Sequence, residues 1–361
     1  MRRARWIIKP KPESTKPIIY HCISRVVNRE FVFEKAEKEQ LRMFMRMYEV
    51  FSGNRILSYC LMSNHIHLLL EIVPAPPEGL TDEELLRRLR AIHPEAQVAE
   101  VAKELAEARK AVADGLADES RVRAIHARFT YRMHDLSQFM KSFTQRYTQW
   151  HNGAHQRQGR LWEDRFKSVI VEDGVAARTM AAYIDLNPVR AGMVSDPAGY
   201  RWSSYGEAVG GGNKGNGKKA REGLVRACMS HEGAGFEAEK WPEVSRIYRR
   251  AMGLALGRKS GKAVVDQPRR SQAAATGAEA KAAKDNGTVL PDLGMAAMLR
   301  HRVRYFTDGA VIGSKAFVNE AFAAARERFS TRRKDGARKM RGVGAAAASV
   351  LWSARDLRVD G

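Results

Sequence analysis

Two histidines one residue apart, His65 and His67, stand in the apolar run LMSNHIHLLLE. On an extended segment, residues two apart project from one face, and two neutral imidazoles side by side supply half the ligands of a divalent-metal site. A pair of hydrogen-bonded histidines in a half-buried strand explains the same spacing equally well. Tyr183 and Asn187 stand four apart in AAYIDLNPVR. On one helix face they would place a phenol, a nucleophile, beside an amide oxygen, a third metal ligand. Taken alone, that second pair reads first as a packed ring and a capping amide, and Pro188 biases Asn187 away from helical backbone. Tyr147 is a competing nucleophile, but it shares a helical stripe with Leu136, Phe139, Met140 and Phe143, so core packing accounts for it.

The elements that must position these groups follow from periodicity. Residues 17 to 27 are β-branched and aromatic after a proline, which predicts a first strand. Leu41, Phe44, Tyr48 and Phe51 form one stripe of a helix opened by Glu34 and Glu37. The segment around Ser63 and Asn64 predicts a hairpin. From Pro74 to about Phe129 a charged, helical insertion is expected (residues 74–130), then an amphipathic helix capped by Asp135. LWEDRFKSVIV predicts a last strand and VAARTMAAYIDL a last helix, with Asp173 and Pro188 as start and stop. That order predicts an α+β domain on an antiparallel sheet over residues 1–209. Residues 210–223 (GGGNKGNGKKAREG) are read as a basic Gly-rich linker, 224–289 as a small helical unit with a loose stretch at 258–288, and 290–361 as a basic, mainly helical C-terminal extension.

The chain has 361 residues, with 62 Lys and Arg against 41 Asp and Glu, hence a net charge of +21. Such an excess calls for a polyanionic partner. Three scattered cysteines, Cys22, Cys60 and Cys228, argue against a disulfide framework or a cysteine zinc site. The apolar run Trp6 to Ile8 stops at Lys9 and Pro10, too soon for a signal peptide, and no run approaches the roughly 20 residues of a membrane span. A cytoplasmic, nucleoid-associated protein with no membrane partner is expected.

Together LMSNHIHLLLE, GRLWEDRFKSVIVE and AAYIDLNPVRAGMV closely resemble the HUH single-tyrosine transposases, in particular the REP-associated tyrosine transposase branch. The resemblance covers about residues 17 to 207, including GYRWSSYGE; the insertion is long for the family, and nothing catalytic carries over beyond residue 210. It implies a ferredoxin-like antiparallel sheet with packed helices, with His65 and His67 on its central strand. It further implies Tyr183 as nucleophile, Asn187 as third ligand, and Mg²⁺ or Mn²⁺ as cofactor. The expected activity is nicking and rejoining of single-stranded, hairpin-bearing DNA through a 5′-phosphotyrosine, by a monomer or homodimer.

Cations and aromatics supply candidate DNA contacts: Arg201 and Trp202, with Tyr200 and Tyr205 nearby, and Arg332, Arg333 and Lys334 in the run from Arg326 to Arg341. A flap covering the sheet explains the first set as well, and a solvated helix face or tail the second. Two other functions stand against the transposase. One is a metal-dependent phosphohydrolase with water as nucleophile; the other is a domesticated DNA-binding protein without transposition.

Overall fold

The computed structural model describes residues 6–8, 16–229, 237–253, 299, 304–339 and 351–355. The expected loose stretch at 258–288 and Arg341 lie outside these. The chain divides into two compact units, with the boundary between Glu172 and Asp173.

The first unit runs β1 (Ile18–Arg25), α1 (Lys35–Ser52), β2 (Arg55–Leu61), β3 (His65–Ile72), three inserted helices, α5 (Leu136–Ala154) and β4 (Lys167–Val171). Its strands lie in the order β2-β3-β1-β4, every neighbouring pair antiparallel. That order with a βαββαβ sequence of elements is the ferredoxin-like arrangement, and it leaves β3 hydrogen-bonded on both sides. The inserted helices are α2 (Asp82–Leu89), α3 (Glu95–Ala113) and α4 (Ser120–Thr130). They leave the topology of the sheet intact, because they enter between β3 and α5.

Local chemistry sets the helix ends. Glu34 and Glu37 form a reciprocal capping box on α1, each satisfying a backbone N–H that the helix leaves orphaned. Asp135 accepts from the Gln138 N–H and caps α5. The predicted stripes face the core: Leu41, Phe44, Tyr48 and Phe51 are buried on α1, and Leu136, Phe139, Met140, Phe143 and Tyr147 on α5.

The second unit begins with α6 (Val175–Asp185) and α7 (Asn187–Arg190), then α8 (Ser204–Gly210), α9 (Gly215–Cys228) and α10 (Trp241–Ala251). Next come α11 (Arg304–Asp308), β5 (Val311–Gly313), α12 (Lys315–Ala324), β6 (Arg338–Lys339) and β7 (Trp352–Ala354). The three short strands pair antiparallel in the order β5-β7-β6. The extension therefore mixes helix and strand.

Residues 210–223 are not a linker. Most of them belong to α9, whose Ala220, Leu224 and Val225 are buried. Here the glycines serve close approach: a Cβ at Gly211 would stand 2.9 Å from the Gly217 Cα, and one at Gly217 would collide with the Gly211 carbonyl. Nor does a boundary fall near residue 209. Asp185, at the end of α6, accepts from the Tyr205 N–H at 2.9 Å and from the Tyr248 hydroxyl at 2.6 Å. Asp173, expected as a helix start, instead binds the buried Arg226 guanidinium at 2.7 and 3.1 Å.

These contacts tie α8, α9 and α10 to α6, so ending the chain near residue 210 removes support from the helix that carries Tyr183. Asp185→Ala isolates that support: it leaves a buried N–H and a buried phenol unpaired, at an expected cost of about 3–5 kcal/mol. Chemical denaturation followed by circular dichroism checks it, and a loss under about 1 kcal/mol would show that the carboxylate is dispensable.

Candidate active site: a histidine cluster and a tyrosine helix

In the first unit the HxH pair opens β3. The His65 and His67 rings lie with centroids 5.0 Å apart and nearly perpendicular, on one sheet face as the alternation requires. His67 is 3 % exposed, while His65 is half-buried.

Each ring is oriented through its Nδ1. The Asn64 amide donates to the Arg29 carbonyl at 2.9 Å, which fixes its flip and turns Oδ1 toward His65 Nδ1 at 2.7 Å. His65 Nδ1–H is then the donor. His67 Nδ1 stands 2.9 Å from Nε2 of a third histidine, His21 on β1, and the two rings stack at 5.1 Å with an interplanar angle of 13°. The register pairs Ile23 with His67, so His21, two residues earlier on β1, is the diagonal neighbour on the same face. Ring orientation by an outer partner is what a metal-ligating imidazole requires, with coordination through Nε2.

Sequence reasoning missed His21. Its signal was available, a histidine within the predicted first strand, but the pairing register that joins it to the histidine pair is not a local property.

In the second unit Tyr183 is buried near the end of α6, at 2 % exposure. The Arg190 guanidinium lies 3.9 Å from its ring centroid and the Phe306 ring 4.8 Å away. Arg190 also donates to the Tyr183 carbonyl at 2.7 Å, to the Asn187 Oδ1 at 2.8 Å and to the Leu299 carbonyl at 2.7 Å. The helix breaks at Leu186, one residue before Asn187, which opens α7 ahead of Pro188. Arg190 was not foreseen, although positions 183, 187 and 190 follow one helical face.

Tyr147 is buried as expected, with its ring against Phe33, Trp150 and Trp162. Burial pushes its phenol far above the ordinary tyrosine range. It is a core residue by both measures.

The candidate DNA contacts divide. Tyr200, Trp202 and Tyr205 are buried, at 2, 5 and 1 % exposure. Tyr200 and Trp202 pack edge to face and Tyr205 lies against Trp241 and Tyr248, while Arg201 is exposed, with its guanidinium 5.6 Å from the Trp202 ring. Arg332 and Lys334 are exposed, but Arg333 between them is buried. Its guanidinium donates to the carbonyls of Asp335, Gly336 and Arg355, so it organises the fold of the extension.

Among the described residues, no group of three or more His, Cys, Asp or Glu side chains is arranged to hold a metal ion. No helix among them is long and apolar enough to cross a membrane.

No curated protein matches the chain. A solved structure described as the REP associates tyrosine transposase bound to a REP hairpin is similar at 14 % identity and a TM-score of 0.33, over 60 % of this chain and 89 % of that one. Residues 14–77, the segment that folds as β1, α1, β2 and β3 and carries His21, His65 and His67, match the family model Transposase IS200 like, so that this part of the chain is similar to the IS200-like transposases.

Proposed function

We propose that the chain nicks and rejoins single-stranded DNA, with Tyr183 as nucleophile and His65 and His67 as the metal-holding pair. The observation that carries this reading is the histidine pair itself. It lies on a strand bonded on both sides, with both rings oriented through Nδ1, inside the segment that matches the IS200-like transposases.

The donor set fits a divalent cation. Two imidazoles held by outer partners suit Mn²⁺, and Mg²⁺ less well. Asn187 would contribute through Oδ1, an acceptor with two lone pairs of which Arg190 takes one. An amide oxygen and substrate oxygens would complete such a site without a third His or carboxylate. When bound, the cation would polarise a non-bridging phosphate oxygen and offset charge on the leaving 3′ oxygen.

The chain's own groups do the rest. The Tyr183 oxygen attacks phosphorus and gives up its proton to solvent; the P–O3′ bond breaks, and the 3′ oxygen takes up a proton. The products are a 5′-phosphotyrosine and a free 3′-OH. Attack by another 3′-OH reverses the step and rejoins strands without ATP, because the bond energy is kept in the ester. A flexible strand reaches such a site at lower deformation cost than a duplex, which favours single-stranded DNA beside hairpins as the substrate.

The burial of Tyr183 favours a second reading, in which water is the nucleophile and the product is hydrolysed DNA. The experiment that separates the two is incubation with Mn²⁺ and single-stranded hairpin DNA from the flanks of the chain's own gene. A protein–DNA band that survives denaturation supports the tyrosine reaction, and cleavage without that band supports water.

A further inference from the structure

Phe31 is 69 % exposed and has no ring contact among the described residues, although phenylalanine is among the side chains folding buries most readily. Its backbone, by contrast, is tightly placed. Val26 N–H donates to the Asn64 carbonyl at 2.9 Å and Phe33 N–H to the Ser63 carbonyl at 3.0 Å, so both ends of the loop are bonded to the turn that leads into His65. The Arg29 carbonyl takes the Asn64 amide, the same amide whose oxygen orients His65. Phe33 anchors the far side in the core, at 1 % exposure against Tyr147 and Trp162.

The loop is also strained. Asn28 and Arg29 are consecutive non-glycine residues at φ 55° and 59°. Left-handed backbone outside glycine persists where surrounding structure enforces it, commonly at working sites.

Charge around the tip is mixed, with arginines exposed among acids. Arg29 is exposed on the loop itself. The chain between α5 and β4 is bonded to the same stretch, by Val27 N–H to the Leu161 carbonyl at 2.9 Å and Glu163 N–H to the Arg25 carbonyl at 2.8 Å. It brings exposed Arg160 and Arg165, with exposed Glu163 and Asp164 between them. The nearest acid on the loop, Glu30, is already engaged by Asn28 at 3.2 Å and Arg157 at 3.7 Å.

We propose that Phe31 is the stacking platform for an unpaired DNA base, holding the strand so that the adjoining phosphate faces His65 and His67. An apolar protein partner would have to desolvate the surrounding cations, whereas a base with its phosphates satisfies the ring and the cations together. This inference rests on the single-strand DNA reading above and adds to it a positioning residue.

The test uses the full chain and fluorescently labelled oligodeoxythymidine in an anisotropy titration, with Phe31→Ala and Phe31→Trp beside the unaltered protein. Phe31→Ala is expected to lose roughly tenfold in affinity and Phe31→Trp to keep it, with thermal unfolding unchanged in both. A second readout places one 5-iodouracil in the oligonucleotide, and photocrosslinking is expected to label the peptide that contains Phe31. If the unaltered chain binds the strand and Phe31→Ala binds it equally well, this inference falls while the DNA reading stands. If the unaltered chain does not bind single strands, both fall. Self-association that Phe31→Ala abolishes, with DNA affinity intact, would reassign the ring to a contact between copies of the chain.

Discussion

Tyr183→Phe is expected to abolish the covalent protein–DNA adduct outright, while Tyr147→Phe keeps it. The substitution removes one oxygen and keeps the ring that packs against Arg190 and Phe306, and circular dichroism of the variant checks that the fold is kept. Loss of a nucleophile has no partial version, because no other oxygen in α6 can take its place at the same point on the helix. The measurement is a labelled single strand with Mn²⁺, resolved under denaturing conditions, for the unaltered chain and both variants. An adduct formed by Tyr183→Phe would remove Tyr183 from the reaction. Continued cleavage without an adduct in both the unaltered chain and the variant would instead identify water as the nucleophile. Tyr147→Phe is the informative control because its hydroxyl, 3.4 Å from the Glu37 carbonyl, is buried and held protonated by its surroundings.

What could be read from the sequence depended on whether the cause was local. The β-branched and aromatic composition of β1, the stripes of α1 and α5, the acidic start of α1 and the Asp135 cap are set within a few residues, and each element lies where these signals put it. The order of elements then restricts the sheet to few topologies, of which the ferredoxin-like one is realised. The partnership of His21 with His67 needs the register of two strands 46 residues apart, which no window of sequence contains. Glycine misled at 210–223 for a related reason. Composition reads Gly211 and Gly217 as flexibility, but here they allow two backbones to meet, and only the tertiary arrangement distinguishes these uses. The aromatics of GYRWSSYGE were ambiguous between base stacking and burial, and tertiary packing, as of Tyr205 against Trp241 and Tyr248, buries Tyr200, Trp202 and Tyr205. Arg333 was counted as a phosphate contact by charge alone, although a buried arginine whose guanidinium donates to three backbone carbonyls serves folding instead.

His65→Ala is expected to lower nicking at least a hundredfold and to weaken Mn²⁺ binding with it. The loss of one imidazole removes a ligand and leaves a cation that can no longer be held in position against the phosphate, and removing one preorganised electrostatic contact of this kind costs about 10²–10³ in rate. His65 is the cleaner of the two positions, since it is half-buried, while His67 at 3 % exposure is stacked on His21 and contributes to the core of the sheet. His67→Ala should therefore lose activity and stability together, so a His67→Gln variant, with its fold checked by circular dichroism, separates the two losses. His21 acts through His67, and His21→Phe, which keeps the stacking but not the hydrogen bond, should weaken metal binding by about 10–100-fold without removing it. Mn²⁺ binding followed by electron paramagnetic resonance reads these differences independently of DNA cleavage. An unchanged Mn²⁺ affinity in His65→Ala, together with full nicking, would mean that the pair is structural, and graded losses in the order His65→Ala above His21→Phe would place the metal on the Nε2 side of both rings.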